Sequence, residues 1–295
     1  MMKSYYVLIF FFLLGIIFSS CGQKEVKTEI IELDGAIIDS IISDYDMEIG
    51  PGAALLITEN GNIIYSKGYG LANLQESIPI TSATNFRLAS LTKQFTAMCI
   101  MILNSRGQLD YELTLTNIFP DFPDYGNNIT IRNLLHHTSG LIDYFTLIPD
   151  TVSQQLKDQD VLNLMMAQTT TSFPPGTEYR YSNSGYALLA MIVKNVSGKE
   201  FAEFLEDEIF FPLGMSNSIA FEDGISTVEN RAYGYSQIDS EFIRDDQSIT
   251  SAVLGDGGIY SSLDDIFKWD QILNTKELVP FTILNEAFVS GTLDN

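Results

Sequence analysis

A serine and a lysine stand three residues apart in Ser90-Leu91-Thr92-Lys93, the only Ser-x-x-Lys pattern in the chain. On a helix such a pair lies on one face, with the hydroxyl near the positive end of the helix dipole. A serine hydroxyl becomes a good nucleophile only when a base takes its proton, and a poorly solvated lysine can be that base. The spacing therefore suits nucleophilic catalysis by Ser90 with Lys93 as its partner. A capping serine followed by a solvated lysine would give the same four residues.

Other residues that could do chemistry give weaker signals. His136 and His137 are adjacent, so they would point in different directions from a helix, and no zinc site is predicted. Cys99 lies in an apolar stretch, which indicates a buried thiol. The glycines of Gly255-Asp256-Gly257-Gly258 lack the Gly-Lys-Ser ending of a phosphate loop and indicate a tight turn near the cleft. We therefore expect no metal and no organic cofactor.

The segments before the serine predict a helix and a hairpin. Apolar residues at three- and four-residue spacings predict a helix over residues 30–45. Residues 53–58 and 63–67 are typical of strands, and Asn60-Gly61 between them favours a tight hairpin turn. A short apolar run then leads into a helical stretch over residues 90–105. The nucleophile is therefore expected at a strand-to-helix junction, which is where such a motif is typically found.

The middle of the chain is predicted to be mostly helical. Proline and glycine interrupt the helical pattern at intervals between residues 106 and 225. Within this region, residues 184–196 predict an amphipathic helix with Gly198 as its C-cap. Farther along, Ser262 and Asp265 predict a capping box at the start of another helix.

Length, composition and the order of elements indicate one globular body with two lobes. The chain has 295 residues, of which 45% are hydrophobic, enough for a sizeable core. We predict an α/β fold in which an antiparallel sheet is flanked by helices and an all-α lobe is inserted. The domain would span residues 31–295, with the α/β body at 31–105 and 226–295 and the helical lobe at 106–225. The formal net charge of -22 disfavours binding to nucleic acid or to anionic lipid headgroups.

The start of the chain is typical of an export signal. Lys3 precedes an uncharged apolar run, residues 5–18, shortly before Cys21. We expect a bacterial lipoprotein signal peptide over residues 1–20, lipidation of Cys21, and a polar tether over residues 21–30. The domain would then be anchored by lipid to the cell envelope, outside the cytoplasm. A retained anchor or a plain secretory peptide is the alternative, and either would also export the domain.

Five segments of the chain, taken in order, match the motifs of one known family. They are Arg87-Leu88-Ala89-Ser90-Leu91-Thr92-Lys93, Leu134-Leu135-His136-His137-Thr138-Ser139-Gly140-Leu141, Pro175-Gly176-Thr177 with Tyr181-Ser182-Asn183-Ser184-Gly185-Tyr186, Phe211-Pro212-Leu213-Gly214-Met215, and Gly257-Gly258-Ile259-Tyr260-Ser261-Ser262 with Asp265. In this order they resemble the β-lactamase-related serine hydrolases, which include class C β-lactamases, D-alanyl-D-alanine peptidases and related esterases. The resemblance covers roughly residues 35–290.

The resemblance implies a role for each matching residue. Ser90 would be the acylated nucleophile and Lys93 its proton acceptor. Tyr181 would be the phenol that passes the proton to the leaving group, and Asn183 would hydrogen-bond the lysine and the substrate carbonyl. Gly257-Gly258 would belong to the substrate-binding wall of the cleft. A phenol near cations can act as a base, and an amide offers a donor and an acceptor without charge, which agrees with these roles.

One element of the family pattern is missing. Members carry Lys-Thr-Gly or His-x-Gly on a strand that lines the cleft, but after Met215 the lysines are Lys268 and Lys276, neither followed by Ser/Thr-Gly, and no histidine occurs. Without that strand the sheet would be incomplete, with an open edge, and the oxyanion hole would lose a donor. A truncated gene product would explain this, as would a degenerate, non-catalytic relative. A second Tyr-x-Asn pattern, Tyr125-Gly126-Asn127, is an alternative to the Tyr181 motif. It is less favoured because it lies in a proline-rich turn without the flanking segments.

Two functions follow from the resemblance. The first is a serine hydrolase that acts through an acyl-enzyme on a small molecule or peptide. Its substrate would be a D-Ala peptide, a β-lactam, a D-amino-acid amide or a small ester. The second is a non-catalytic protein, similar to penicillin-binding proteins, that binds cell-wall peptide. The sequence leaves the choice of substrate and the oligomeric state open.

Overall fold

The first strands form the hairpin that the sequence predicted. In the computed structural model, which describes residues 34–293, β1 spans Ala53–Glu59 and β2 spans Asn62–Tyr69, paired antiparallel. Asn60 and Gly61 between them have φ of 51° and 77°, the left-handed values that a two-residue hairpin turn requires. A bulge interrupts the register after Ile57.

Helix α1, Gly35–Ile42, packs on this hairpin, and a 3₁₀ turn at Ser43–Tyr45 continues it. The helix predicted over residues 30–45 is confirmed from residue 35 onward, and residues 30–33 lie outside the described part. Asp39 on α1 fixes the contact, because one carboxylate oxygen accepts hydrogen bonds from the side chains of Tyr65, Lys67 and Tyr69, each at 2.8 Å.

The remaining strands are short and antiparallel, and they form small separate sheets. The single sheet that we expected is divided, because within residues 34–293 β1 and β2 pair only with each other. A three-stranded sheet, in the order β5-β9-β6, lies beside the serine, and β3-β4 and β7-β8 form hairpins of their own. These strands are β3 (Leu71–Asn73), β4 (Ile78–Pro79), β5 (Phe86–Arg87), β6 (Ile219–Ala220), β7 (Tyr235–Ile238), β8 (Glu241–Arg244) and β9 (Ile259–Ser261).

Two long buried helices, α2 and α6, make the centre of the core. Every side chain from Met98 to Leu103 on α2 is buried, so this part of the helix is apolar on all sides, as expected in the centre of a core. The predicted thiol Cys99 is confirmed as a core residue, and burial raises its pKa well above the ordinary value. The helices after α1 are α2 (Thr92–Ser105), α3 (Leu115–Ile118), α4 (Ile131–Leu135), α5 (Asp158–Met166), α6 (Asn183–Ser197), α7 (Phe201–Leu205), α8 (Leu254–Gly257), α9 (Leu263–Ile272) and α10 (Phe281–Leu284).

The ends of α6 and α9 show how capping residues fix these helices. Ser182 caps the start of α6 by accepting from the Gly185 N–H, and Gly198 ends it at φ 75°, as predicted. Ser262 caps α9, but the predicted capping box is only half formed. The carboxylate of Asp265 does not return to Ser262, because it accepts from the backbone of Asn217 and from the Ser218 hydroxyl instead.

The predicted helical middle contains α3 to α7, joined by 3₁₀ turns at Asp124–Asn128 and Tyr144–Leu147. A π-helical turn, Glu206–Phe210, follows α7. Strand β6 also lies in this part of the sequence and pairs with β9. None of the helices between residues 34 and 293 combines the length and apolar character of a membrane span.

Candidate active site

The backbone before α2 presents Ser90 to solvent. Strand β5 is followed by a 3₁₀ turn, Ala89–Leu91, so Ser90 lies at the strand-to-helix junction that the sequence predicted. Ala89 has φ 47°, a left-handed conformation that costs a non-glycine residue about 1–2 kcal/mol. The N–H groups of Leu91 and Thr92 donate to the carbonyls of Leu88 and Ala89 within this turn, so neither is free for a ligand. The result is an exposed hydroxyl at the positive end of a buried helix.

Lys93 lies directly beneath this hydroxyl and is 7% exposed. Its Nζ donates to Ser90 Oγ at 3.4 Å, to Asn183 Oδ1 at 2.9 Å and to the carbonyl oxygen of Asp256 at 2.7 Å. The three N–H groups of an ammonium therefore each have an acceptor, which compensates for the loss of water around the charge. The Tyr181 ring, with its centroid 4.9 Å from Nζ, adds a cation–π contact.

Tyr181 also contacts Ser90. Its hydroxyl oxygen lies 2.8 Å from Ser90 Oγ, and its side chain is 48% exposed. Tyr181 precedes the N-cap of α6, and Asn183 is the first residue of that helix, so one helix start carries both residues of the motif. The structure thus brings together Ser90, Lys93, Tyr181 and Asn183, residues separated by about 90 positions in the sequence.

His137 supports the tyrosine. Its ring stacks on Tyr181 at 4.6 Å between centroids, and its Nδ1 accepts from the Ser182 N–H at 3.0 Å. Burial, together with the charge of Lys93, lowers the pKa of His137 to about 4, so the ring is neutral at physiological pH. A neutral imidazole can accept this backbone hydrogen bond, whereas an imidazolium cannot.

The glycines of the fifth segment form the wall behind Ser90. Gly257 lies against Ala89, and its carbonyl accepts from Arg87 Nε at 3.1 Å. A Cβ on Gly258 would stand 2.7 Å from Leu254 Cα, so only glycine fits there. Both glycines are buried and form part of the backbone that lies behind Ser90. Their contact with substrate stays a prediction.

Three residues of the site were not found from the sequence: Asp256, whose carbonyl accepts from Lys93, and Tyr144 and Asp158, which hold the turn that carries it. Asp158 lies almost a hundred positions before that turn, and no local spacing links the two. The alternative tyrosine, Tyr125, donates to the Met165 carbonyl at 2.7 Å, so it is not a partner of Ser90. Cys21 lies outside the described residues.

Solved structures with this fold define the class of protein. The penicillin-binding protein from Bacillus halodurans superposes with a TM-score of 0.73 at 30% identity, covering 85% of this chain and 77% of its own. The D-amino acid amidase from Ochrobactrum anthropi SV3, in complex with L-phenylalanine amide, superposes with a TM-score of 0.71 at 27% identity, covering 85% and 72% respectively. The fold is therefore that of the penicillin-binding proteins and β-lactamases, as predicted.

The sequence also matches a protein family model. The family model described as Beta-lactamase matches residues 39–289, so the chain belongs to the Beta-lactamase family. A penicillin-binding protein of Bacillus subtilis (strain 168) is 34% identical over 255 residues, which are 82% of this chain and 56% of that relative. The chain thus spans little more than half the length of that relative.

Proposed function

We propose that this protein is a serine hydrolase that forms an acyl-enzyme at Ser90. One observation carries the proposal: Tyr181 Oη and Lys93 Nζ converge on the exposed Ser90 Oγ, at 2.8 and 3.4 Å. A nucleophile that contacts two groups able to exchange its proton, at the start of a helix, is the arrangement that acyl transfer requires.

The proposed reaction proceeds in two halves. In the neutral-amine form of Lys93, Ser90 Oγ attacks the substrate carbonyl carbon and its proton passes to Lys93 Nζ, which becomes an ammonium held by Asn183 and the Asp256 carbonyl. Tyr181 then relays the proton to the leaving group. The tetrahedral intermediate carries a negative oxygen, which the backbone N–H of Ser90 would stabilise. Collapse of the intermediate expels the amine or alcohol, which takes up the proton, and leaves an ester on Ser90. Water then attacks this ester by the same route and releases the acid.

The substrate class is an amide or ester of a small acyl group, including D-amino-acid amides and D-Ala peptides. The likeness to a D-amino acid amidase supports amides, and the likeness to penicillin-binding proteins supports peptides. Asn183 is placed to hydrogen-bond the substrate carbonyl, because its Oδ1 is held by Lys93 and its side chain is only half-buried.

Replacing Tyr181 with phenylalanine tests the proton route. The ring and its stacking on His137 would remain, and only the oxygen beside Ser90 would be lost. We expect kcat for hydrolysis of a D-amino-acid p-nitroanilide to fall by about 100- to 1,000-fold, the range typical of a positioned acid or base.

The matched control for this variant is Tyr179→Phe. Tyr179 is exposed and meets His137 only edge-on, at 5.9 Å, so its hydroxyl has no place in the proposed route. Equal kcat values for the two variants would remove Tyr181 from the reaction.

A second function is a non-catalytic protein that binds cell-wall peptide. It is favoured by the strands between residues 34 and 293, none of which carries Lys-x-Gly or His-x-Gly. This function predicts saturable binding of a D-Ala-D-Ala peptide without any acyl adduct. A fluorescent penicillin that labels the protein covalently, and fails to label Ser90→Ala, would exclude it.

We also propose that the protein is exported and anchored by lipid at Cys21. The proposal rests on Lys3, the apolar run and the cysteine after it. We expect the full chain, expressed in a Gram-negative host, to fractionate with membranes and to incorporate labelled palmitate. Cys21→Ala should abolish the palmitate label, and Cys99→Ala should retain it. Equal labelling of wild type and Cys21→Ala would show that this cysteine is not the lipid site.

A further inference from the structure

The position of Lys93 depends on a single turn of helix. Among its three acceptors, the shortest contact is with the carbonyl oxygen of Asp256, in α8. This four-residue helix is too short to be stable by its own hydrogen bonds. Its geometry must therefore be fixed by side chains from other elements.

Asp158, the first residue of α5, supplies the main attachment. Its two carboxylate oxygens accept from the backbone N–H groups of Leu254 and Gly255, at 2.8 and 2.9 Å. These are the first two residues of α8, whose N–H groups have no partner inside the helix. Asp158 is 7% exposed, so loss of its carboxylate would leave two buried N–H groups without their acceptor.

Two hydroxyls complete the attachment. Tyr144 donates to the carboxylate of Asp256 at 2.9 Å, and Thr96 donates to the carbonyl of Gly255 at 2.7 Å. Tyr144 is itself fully buried, and its backbone N–H donates to Ser184 Oγ on α6. The turn is thus held by Asp158 on α5, by Thr96 on α2 and by Tyr144 at the start of the 3₁₀ turn Tyr144–Leu147.

We propose that Asp158 is a positioning residue: its carboxylate holds the 254–257 turn so that the Asp256 carbonyl fixes Lys93 beneath Ser90. The proposal rests on the proposed function, since it gives Asp158 a role in that reaction. Asp158 touches neither substrate nor reacting atoms, and it acts only through the turn and Lys93.

The attachment depends on pH. Burial raises the pKa of Asp158 to about 7. The hydrogen bonds from Gly255 and Leu254 act in the opposite direction but do not cancel the effect of burial. Below that pH one oxygen carries a proton and can no longer accept both N–H groups. Activity should therefore fall as the pH falls through about 7, while folding stability changes in the opposite direction. Because the folded-state pKa is above the unfolded value, the folded state binds the extra proton and gains stability as the pH falls from about 7 toward 4.

Other charged groups face Asp158 from the elements around it. Asp256 and Tyr144 lie on the side of the turn, and burial raises the pKa of Asp256 to about 6. Asp158 lines a cavity of about 590 Å³ together with Lys157, Lys194, Glu200, Glu222 and Asp223. The pKa of Asp158 is set mainly by burial and by the hydrogen bonds from Gly255 and Leu254, and the charge of Asp256 has a smaller effect.

Asp158→Asn tests the inference because it keeps the size of the side chain and removes one acceptor. We expect kcat to fall by about 10- to 100-fold, the cost of misplacing a catalytic group, with a smaller change in KM. The acidic limb of the pH profile of kcat/KM should also move to lower pH, which a purely structural role would not produce. Tyr144→Phe loosens the same turn from the other side and should lower kcat in the same direction, by a smaller factor.

The control is Asp160→Asn on the same helix. Asp160 caps α5 by accepting from the Lys157 N–H and does not touch the turn, so its kcat and pH profile should match the wild type. If Asp158→Asn folds and keeps kcat within about twofold with an unchanged acidic limb, the inference is wrong. If Asp158→Asn does not fold, Tyr144→Phe decides by the same criteria. If Ser90→Ala loses activity while Asp158→Asn keeps the kcat and pH profile of the wild type, the inference is refuted and the proposed function stands.

Discussion

Replacing Ser90 with alanine should reduce kcat for amide and ester hydrolysis by at least about 10⁴-fold, as removal of the nucleophile does in other serine hydrolases. The reason is geometric: the hydroxyl is the exposed oxygen on which Lys93 and Tyr181 converge. Truncation leaves the lysine with its other two acceptors, Asn183 and Asp256, so the fold should persist. Initial rates with a D-amino-acid p-nitroanilide and a p-nitrophenyl ester measure this effect.

Ser105→Ala is the matched control, because Ser105 is the last residue of α2, the helix that follows Ser90, and its hydroxyl donates to the Ile102 carbonyl. Its kcat should equal that of the wild type. Wild-type turnover by Ser90→Ala on both substrates would show that the reaction does not use this hydroxyl.

Replacing Lys93 with methionine should lower kcat by about 1,000-fold, in the range expected when a nucleophile loses its activating partner. Methionine keeps an unbranched apolar stem and removes the donor. It also leaves Asn183 Oδ1 and the Asp256 carbonyl without Nζ, and a buried acceptor left unpaired costs about 1–3 kcal/mol. Activity and melting temperature should therefore fall together in this variant.

Lys199→Met separates the two effects. Lys199 pairs with Asp207 at the surface, and exposed ion pairs contribute about 0–1 kcal/mol, so neither kcat nor the melting temperature should change appreciably. A Lys93→Met variant that is less stable but retains wild-type kcat would show that the lysine is structural only.

Local sequence was sufficient to predict several of the turns and helix ends around the candidate site. The Asn60-Gly61 turn, the helix that ends at Gly198 and the junction before Ser90 each depend on short-range rules of turns and caps, and each is present. The resemblance to a family then brought Tyr181 to the same cleft, which no local rule could do.

Contacts between residues far apart in the chain could not be predicted from the sequence. Asp158 and Tyr144 meet the 254–257 turn across about 100 residues, and neither belongs to a motif. The half-formed capping box at Ser262 has the same cause, since Asp265 is taken by partners on another segment, at Asn217 and Ser218. Tertiary contacts outweigh local preference wherever a buried charged group must satisfy several donors.

The most direct test of the central claim is the intact mass of the protein after incubation with a fluorophosphonate probe. The convergence of Lys93 and Tyr181 on Ser90 predicts one adduct per chain, located by peptide mapping at Ser90 and absent from Ser90→Ala. An unchanged mass, or an adduct that Ser90→Ala retains, would contradict the assignment of Ser90 as the nucleophile.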